Sequence, residues 1–281
     1  MTGKDPVCVV TGASAGIGKE TARGMAERGY SVVIVGRDAA RTEEAAAYVR
    51  SHSKGASVSA ALCDFSSLAA VRSLGASLLS SQPRIDVLIN NAGLWHPQRQ
   101  LSRDGLEDTL AVNHLAPFLL TNLLLPRLQA SGAARIVNVS SRLHEKLTEF
   151  PFDDPQSERN YHGLRVYARS KLANVLFSAE LAVRLQGTGV TSNALHPGDV
   201  VSDILREKPV LRFFGKLAAP LFDSPESASR TSLYVATAKE LAGVSGAYFK
   251  KQKRAKESSL AQDAAARAKL WALSEQLVGL T

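Results

Sequence analysis

Short runs of β-branched and apolar residues alternate along the chain with longer segments in which apolar residues recur every three to four positions. Such alternation is typical of βαβ units, in which each strand is followed by a helix that returns to a parallel sheet. The strand-like runs are residues 7–11, 31–35, 57–61, 87–89, 135–139, 190–195 and 246–249. The pattern therefore predicts an α/β fold with a doubly wound, seven-stranded parallel sheet flanked by helices.

Between these runs lie segments whose apolar residues share one helical face. They cover residues 17–28, 39–53, 67–80, 104–129, 165–186 and 225–239. Two stretches that contain proline, around 151–160 and 207–225, are interpreted as loops, and no internal repeat or low-complexity linker divides the chain. We therefore expect residues 1–281 to form a single domain, which this chain length allows.

Composition places the chain among ordinary globular proteins. Hydrophobic residues make up 45% of it and charged residues 21%, so a large apolar core is available. Cys8 and Cys63 lie in apolar runs, which predicts buried, reduced thiols. The chain opens without a leader-like segment and has no run of about 18 apolar residues, so we expect a cytoplasmic protein without a membrane span.

The formal net charge of +8 arises in part from one late stretch. It contains Lys250, Lys251, Lys253, Arg254 and Lys256. No nucleic-acid motif accompanies these residues, so we interpret them as a solvated face and expect no nucleic-acid partner. Weak association with an anionic surface stays open, and a positive field favours the approach of an anionic cofactor.

A glycine-rich turn follows the first strand-like run. Residues 11–19 are Thr-Gly-Ala-Ser-Ala-Gly-Ile-Gly-Lys, so Gly12, Gly16 and Gly18 stand between a predicted strand and a predicted helix. Glycines in this place allow a tight turn and bring the helix N-terminus close to a phosphate. A flexible turn without a ligand is the alternative, since glycine clusters are common.

The TGxxxGxG spacing of this turn resembles the short-chain dehydrogenase/reductase family. The resemblance implies a single-domain Rossmann fold with a nicotinamide dinucleotide bound along the turn. The residues that it implicates are Gly12, Ser14, Ala15, Gly16, Ile17 and Gly18.

The end of the second strand indicates which dinucleotide is bound. Family members that prefer NAD carry an acidic residue there, whereas this chain has Gly36 followed by Arg37. A guanidinium pairs bidentately with a 2′-phosphate, so we expect NADP(H) as the cofactor. The alternative is a solvent-exposed Arg37 whose charge is offset by the adjacent Asp38.

Further cofactor contacts follow from the same resemblance. Asp64 and Phe65, just past the third strand, match the adenine-binding position. The turn after the fourth strand matches the family's NNAG motif at Asn91, Ala92 and Gly93. Residues 196–202 resemble the family's PGxxxT segment, which binds the carboxamide of the nicotinamide. The cofactor-binding residues that this implies are Pro197, Gly198, Val200 and Ser202.

A tyrosine and a lysine four residues apart are the candidate reacting groups. Tyr167 and Lys171 share one face of a predicted helix, and the nearby ammonium is expected to lower the pKa of the tyrosine. By resemblance, both residues also contact the nicotinamide ribose, and Ser141 holds the substrate oxygen. Ser140 is disfavoured because neighbouring strand residues point to opposite sides. Asn113 matches the family's helix asparagine, which is implied to link the lysine to solvent through water.

Simpler interpretations of these residues also exist. Tyr167 and Lys171 alone are compatible with an ordinary amphipathic helix face, and Asn113 with a buried, hydrogen-bonded amide. His114 and His196 lack neighbours at metal-ligand spacing, so no metal site is expected.

Several segments narrow the resemblance to the retinol dehydrogenase-like branch, namely 18–22, 112–115 and 170–177, together with the 26 positions between Ser141 and Tyr167. The branch implies an NADP(H)-dependent enzyme that interconverts an alcohol and a lipophilic aldehyde, ketone or retinoid. Many members carry an N-terminal anchor, whereas this chain starts almost at its first strand, which favours a soluble enzyme. A substrate lid is implied at about 200–224, where residues 210–222 close over substrate, touch a membrane or pack on the core.

Two other functions stay open. One is a double-bond reductase similar to protochlorophyllide reductase, whose substrate-site cysteine has no obvious equivalent here. The other is a noncatalytic NADP(H)-binding redox sensor, which the intact Ser141, Tyr167 and Lys171 disfavour. The family dimerises through the helices that match 104–129 and 165–186, so the resemblance allows a homodimer.

Overall fold

Eight strands form one sheet in this computed structural model, which describes residues 5–53, 55–199 and 223–280. The strands are β1 Val7–Thr11, β2 Ser31–Gly36, β3 Val58–Leu62, β4 Val87–Asn90, β5 Arg135–Val139, β6 Thr191–His196, β7 Tyr248–Lys250 and β8 Lys253–Arg254. Their order across the sheet is β3-β2-β1-β4-β5-β6-β7-β8. The predicted α/β fold with seven parallel strands is confirmed, and the short β8 is added antiparallel to β7.

Helices follow most of the strands and cover the sheet. They are α1 Gly16–Glu27, α2 Ala39–His52, α3 Leu68–Ser81, α4 Asp108–Leu110, α5 Ala116–Ala130, α6 Gly163–Arg184, α7 Pro225–Thr237 and α8 Ala264–Val278. A π-helical turn, Ala111–Leu115, joins α4 to α5. Short 3₁₀ turns occupy Arg142–Lys146, Lys239–Leu241 and Ser259–Gln262.

The central strands are buried on both faces of the sheet. Every residue of β1, β4 and β6 is buried, as expected for parallel strands covered by helices. Successive strand residues point to opposite faces, so Val9 and Leu88 belong to one apolar cluster and Val10 and Ile89 to the other. This two-sided core fixes the strand register and brings the carboxyl ends of the strands to one edge.

The helix predicted over 104–129 begins later and is irregular. Gly105 has φ of +76°, and the Asp104 carboxylate accepts a hydrogen bond from the Leu68 N–H at 2.7 Å. These residues therefore form a turn, and the helical segment starts at Asp108 under a cap from the Glu107 side chain. The prediction was wrong at this end because the apolar spacing continues through a segment that glycine makes a turn.

The C-terminal helix α8 was not predicted. The Asp263 side chain caps its start, and Gly279, with φ of +65°, ends it. α8 packs on α6, and the Trp271 ring lies 4.9 Å from that of Phe118 and 6.0 Å from that of Phe177, centroid to centroid. α8 therefore covers part of α5 and α6, the helices through which the resemblance allows a homodimer.

Both cysteines are buried, as predicted, with 0% exposure for Cys8 and 3% for Cys63, and both are free thiols. Cys63 directly follows β3 and does not lie within it. Within the described residues, Asp108–Ala130 is the one helical stretch long and apolar enough to cross a membrane, and 78% of its apolar window is buried inside the protein. Such burial is typical of a core helix.

Candidate active site

The carboxyl ends of β1 and β4 mark the place where the strand order reverses. β1 pairs with β2 on one side and with β4 on the other, so the connections leave these two strands in opposite directions. Open α/β sheets bind ligands in the crevice at such a point. The glycine turn, residues 90–93 and the end of β5 all reach this edge.

Three glycines shape the turn after β1, each for a different reason. Gly12 has φ of +63°, and a Cβ there would lie 2.7 Å from the Ala92 Cα. A Cβ on Gly18 would overlap the Gly12 carbonyl oxygen. Gly16 has φ of +56° and open space where a side chain would stand. The turn therefore requires glycine for close packing at Gly12 and Gly18 and for backbone conformation at Gly12 and Gly16.

The Asn91 side chain holds this turn in place. Its amide donates to the carbonyl oxygens of Thr11 at 2.9 Å and Gly12 at 3.1 Å. The Thr11 hydroxyl in turn accepts the backbone N–H groups of Asn91 at 3.0 Å and Ala92 at 3.1 Å. The segment after β4 thus braces the glycine turn, and Thr11, the first residue of the TGxxxGxG motif, contributes to this bracing.

The N-terminus of α1 is suited to bind a pyrophosphate. Its cap residue, Ala15, contributes no side-chain hydrogen bond, and the first turn contains no acidic residue. The first N–H groups of a helix lack intrahelical partners and carry partial positive charge. The open face at Gly16 lets an anion reach them, so the residues present fit a dinucleotide.

At the end of β2 a side chain on Gly36 would require its neighbours to move. A Cβ on Gly36 would overlap the Thr42 hydroxyl and lie 3.1 Å from the Ser14 Cβ. Arg37, the next residue, is exposed. The Asp38 carboxylate accepts the Arg41 N–H at 2.9 Å as the N-cap of α2, so its charge is engaged at the start of that helix.

Asp64 lies at the expected adenine end with protein partners of its own. Its carboxylate accepts the Ser66 N–H at 3.1 Å and the Ser66 hydroxyl at 2.9 Å, and Arg103 Nε lies 3.1 Å away. Burial raises the pKa of Asp64, but the bonds from Ser66 and the charges of Arg103 and Arg37 outweigh it and lower the pKa below its usual value. Phe65, beside it, is 8% exposed. Sequence reasoning missed Arg103, which no motif marked.

The two serines at the end of β5 have different surroundings. The Ser140 hydroxyl is buried and donates to the Lys171 carbonyl oxygen at 2.7 Å, which ties β5 to α6. Ser141 is partly exposed and caps the following 3₁₀ turn, and its side chain is close enough to Tyr167 to favour the phenolate and so act to lower the pKa of that phenol. Of the two hydroxyls, that of Ser141 is therefore placed for chemistry beside Tyr167.

Lys171 is a buried amine beneath Tyr167. It is 3% exposed, its Nζ donates to the Val139 carbonyl oxygen at 3.2 Å, and Nζ lies 5.6 Å from the centroid of the Tyr167 ring. Burial lowers the pKa of Lys171 from 10.5 to about 8. The amine therefore sits close to the phenol in a site that opposes its charge.

The expected lowering of the Tyr167 pKa is wrong in this structure. Burial of the phenol raises the pKa of Tyr167 from 10.0 to about 12, although the hydrogen bond with Ser141 acts in the other direction. Desolvation wins because it disfavours the phenolate and, at the same time, the ammonium of Lys171 that was expected to stabilise it. Tyr167 is therefore a neutral hydroxyl that can donate a proton.

Asn113 stands in the π-helical turn and is fully buried. Its amide nitrogen donates to the Leu94 carbonyl oxygen and to the Ser170 hydroxyl, both at 2.9 Å, and its Oδ1 accepts the Leu94 N–H at 2.7 Å. A Cβ on Gly93 would lie 3.1 Å from Lys171 Nζ and 3.3 Å from Asn113 Oδ1. Gly93 thus permits the close approach of these groups, while the water link from Asn113 stays a prediction.

The two histidines that were weighed as metal ligands are neutral and have protein neighbours. Burial lowers the pKa of both His114 and His196 to about 4. His114 Nε2 hydrogen-bonds the Ser274 hydroxyl at 2.8 Å, and His196 Nε2 lies 3.6 Å from Asp199. In the part of the chain that the structure describes, no three His, Cys, Asp or Glu residues form a group able to hold a metal.

Part of the predicted carboxamide segment is visible. Pro197 and Gly198 follow β6 at the same edge of the sheet. Gly198 has φ of +144°, and a Cβ there would lie 2.6 Å from Asp223 Oδ2. Val200, Ser202 and most of the lid predicted at 200–224 lie outside the described residues.

His144 is a further residue that the sequence motifs did not indicate. It is fully buried, and its Nδ1 lies 2.6 Å from the Ser141 carbonyl oxygen. The only sequence signal is its position three residues after Ser141, the spacing at which side chains of a 3₁₀ turn align.

Comparisons with known proteins agree with this geometry. A family model described as short chain dehydrogenase matches residues 6–210. Retinol dehydrogenase 12 of Homo sapiens is 43% identical over 274 residues, which cover 98% of this chain and 86% of that protein. Retinol dehydrogenase 13 of Homo sapiens is 42% identical over 279 residues, covering 97% and 84%. Retinol dehydrogenase 14 of Mus musculus is 42% identical over 287 residues, covering 97% and 85%.

Solved structures show the same architecture. An uncharacterized protein from Mycobacterium paratuberculosis superposes with a TM-score of 0.79 at 32% identity, covering 98% of this chain and 93% of that chain. The RhlG/NADP active-site complex of Pseudomonas aeruginosa superposes with a TM-score of 0.69 at 26% identity, covering 87% and 94%.

Proposed function

The chain belongs to the short chain dehydrogenase family, and from this premise we propose that it interconverts a lipophilic alcohol and its carbonyl with NADP(H). The observation that carries the proposal is the meeting of Ser141, Tyr167 and Lys171 at the sheet edge that also bears the glycine turn. Tyr167 and Lys171 lie one turn apart on α6, and Ser141 follows the end of β5. The fold therefore brings Ser141 to the Tyr167–Lys171 pair from a distant part of the sequence.

The cofactor would lie along the crevice between the glycine turn and the end of β5. Gly12, Gly16 and the first N–H groups of α1 would hold its pyrophosphate, and Lys171 would reach its nicotinamide ribose. When bound, NADP(H) supplies or accepts the hydride. The contribution of the protein is to hold the reacting carbon in line and to manage the charge on oxygen.

Ser141 and Tyr167 act on the substrate oxygen. The Ser141 hydroxyl donates a hydrogen bond to the carbonyl oxygen and stabilises the negative charge that develops there. Tyr167 donates its proton to that oxygen in the direction of reduction and recovers it in the direction of oxidation. A phenol with a pKa of about 12 is fully protonated at neutral pH, which suits the donor role.

Local space and charge at the end of β2 support NADP(H) over NAD(H). Gly36 supplies no carboxylate for an unmodified ribose, and any side chain at this position would require Thr42 to move. Arg37 remains exposed for a 2′-phosphate, and the Asp38 charge is engaged at the start of α2. The pairing of an arginine with a phosphate is favourable by about 1.5–3 kcal/mol for a charged hydrogen bond.

Two exposed apolar residues close in sequence to the reacting groups support a lipophilic substrate. Leu143, two residues after Ser141, is 37% exposed, and Leu164, one helical turn before Tyr167, is 56% exposed. The relatives whose names are retinol dehydrogenase point to the same class of substrate. We place retinoids and other lipophilic aldehydes or ketones in this class. A cytoplasmic location and a homodimer stay proposals.

The experiment that tests this function measures oxidation of NADPH and of NADH by the purified protein. Retinal, medium-chain aldehydes and aromatic ketones serve as substrates, and the absorbance of the reduced nicotinamide reports turnover. We expect turnover with NADPH and a lipophilic carbonyl and much slower turnover with NADH. Tight binding of NADPH without turnover across the panel would contradict the proposal and favour the redox sensor.

A further inference from the structure

His144 contacts the residue that is proposed to hold the substrate oxygen. Its Nδ1 lies 2.6 Å from the Ser141 carbonyl oxygen, and its backbone N–H donates to the same oxygen at 3.2 Å. A carbonyl oxygen only accepts hydrogen bonds, so Nδ1 must carry a proton. Burial lowers the pKa of His144. This effect outweighs the hydrogen bond to the Ser141 carbonyl and the charge of Glu145, which both raise the pKa. The ring is therefore neutral, with the proton on Nδ1 and none on Nε2.

The surroundings of the ring agree with this tautomer. His144 is 0% exposed, and its Nε2 has no hydrogen-bond partner among the described residues. The Tyr248 ring packs edge-on against it, with the centroids 4.6 Å apart and the planes at 82°. A bare Nε2 costs less in this apolar packing than an N–H group left without an acceptor.

Strand β7 fixes the orientation of the histidine. Tyr248 is 1% exposed, and its hydroxyl donates to the Glu145 carboxylate at 3.1 Å. Lys250 Nζ reaches the same carboxylate at 3.2 Å. The ring of His144 therefore packs against Tyr248 of β7, and two residues of that strand contact the Glu145 carboxylate.

The contact from His144 determines how the Ser141 peptide is oriented. Ser141 is the last extended residue of its segment, with φ of −151° and ψ of 148°, and the chain enters a 3₁₀ turn directly after it. Two donors from His144 hold its carbonyl on one side. On the other side, the Ser141 Oγ accepts the Leu143 N–H at 3.3 Å. The contacts from His144 therefore restrain the backbone at Ser141, from which the hydroxyl-bearing side chain extends.

We propose that His144 is a positioning residue that holds the Ser141 hydroxyl in register with Tyr167 through an Nδ1–H bond to the Ser141 carbonyl. The inference rests on the proposed function for its effect on turnover, but the hydrogen bond itself is independent of that function. His144 touches neither substrate nor cofactor. Its contribution is orientation, to which reactions of this kind are sensitive, since a displacement of about 1 Å costs on the order of 100-fold in rate.

The kinetic test uses His144→Phe, which keeps a ring against Tyr248 but lacks the donor. We expect kcat to fall about 10- to 100-fold while the KM for NADPH stays unchanged. His144→Asn, whose amide nitrogen takes the place of Nδ1, should recover most of kcat. Tyr248→Phe is the matched control, because it keeps the ring that packs against His144 and the Lys250–Glu145 ion pair, and we expect its kcat to stay within about 2-fold of wild type. An effect confined to folding would lower the melting temperature and leave kcat of the folded protein unchanged, which would overturn the proposal.

A double-mutant cycle tests whether His144 affects turnover through Ser141 or independently of it. In the Ser141→Ala background, His144→Phe should reduce the residual rate little further, since the group that it positions is gone. Equal losses in both backgrounds would overturn the proposal.

The tautomer supplies a test that needs no turnover. Histidine-selective ¹⁵N spectra at neutral pH, with the signal assigned through its loss in His144→Phe, should show a protonated Nδ1 and an unprotonated Nε2. A proton on Nε2 alone, or on both nitrogens, would contradict the inference. An inactive wild-type protein with the expected tautomer would instead count against the proposed function and leave the positioning bond intact.

Discussion

Lys171, which is proposed to reach the nicotinamide ribose, lies in an environment that opposes its charge. Its amine is 3% exposed, and its hydrogen bond is to a neutral carbonyl oxygen, that of Val139. Within the described residues no ion pair involves it. A buried ammonium without a carboxylate is costly, which the lowered pKa of Lys171 expresses. Residues that lower stability in this way are common in active sites, where function is favoured at the expense of stability.

Lys171→Met is expected to abolish turnover and to stabilise the cofactor-free protein at pH 7. Below pH 8 the lysine is charged in both the folded and the unfolded chain, and the burial penalty is fully present. Between about pH 8 and 10.5 the folded protein has lost the proton that the unfolded chain retains, so wild-type stability rises with pH. The stabilisation should be about 3 kcal/mol at pH 7 and should vanish above pH 10.5.

Urea unfolding of both proteins at several pH values measures this difference. Two results would contradict this account: a methionine variant that is less stable than wild type at pH 7, or a difference in unfolding free energy that does not change with pH. Either would show that burial does not disfavour the charged form of Lys171.

Arg37→Ala is expected to weaken the binding of NADPH and to leave the binding of NADH unchanged. Loss of a charged hydrogen bond of about 1.5–3 kcal/mol corresponds to roughly a 10- to 100-fold increase in the KM for NADPH. Arg50→Ala is the matched control, since Arg50 is an exposed arginine in the last turn of α2, the far end from Arg37. Parallel changes in both KM values would argue against recognition of a 2′-phosphate.

At the level of elements, local patterns predicted the seven parallel strands within about two residues of their ends, whereas the two-residue β8 was not predicted. β-Branched runs and flanking turns suffice for this, because parallel strands buried on both faces are continuously apolar. The start of α4 and the π-helical turn were missed, since apolar spacing alone does not register a glycine turn or an extra residue in a helical turn. α8 was missed because its apolar residues, such as Trp271, face partners far away in sequence.

Trp271→Ala tests how firmly α8 is attached. The indole is 5% exposed, packs on Phe118 and Phe177, and lies 4.0 Å beneath the Arg184 guanidinium. Truncation of a buried aromatic residue costs about 3–5 kcal/mol of unfolding free energy, and chemical denaturation measures it. Trp271→Phe should cost much less, because an aromatic ring remains. A loss below about 1 kcal/mol for the alanine variant would mean that α8 packs loosely in solution.

At the scale of the whole molecule, the sheet assembles a site from residues that are far apart in sequence. The presence of Gly12, Asn91 and Ser141 at one edge was predictable, because parallel strands end together and each of these residues follows a strand, whereas Tyr167 is brought there by α6. The direction of the Tyr167 pKa shift was not, because it depends on how completely the folded chain excludes water. The contacts of Arg103 and His144 also required the fold, since neither belongs to a motif.

The central claim is that Tyr167 transfers the proton, and the most direct measurement compares Tyr167→Phe with Tyr161→Phe. Tyr161, six residues before Tyr167, is a suitable control. Its hydroxyl is already engaged, because it donates to the His96 carbonyl oxygen at 3.1 Å. NADPH turnover with the preferred carbonyl and NADPH binding by fluorescence are measured for both variants. We predict that Tyr167→Phe loses turnover but retains NADPH binding, whereas Tyr161→Phe retains both. Near-normal turnover in Tyr167→Phe would contradict the proposed mechanism.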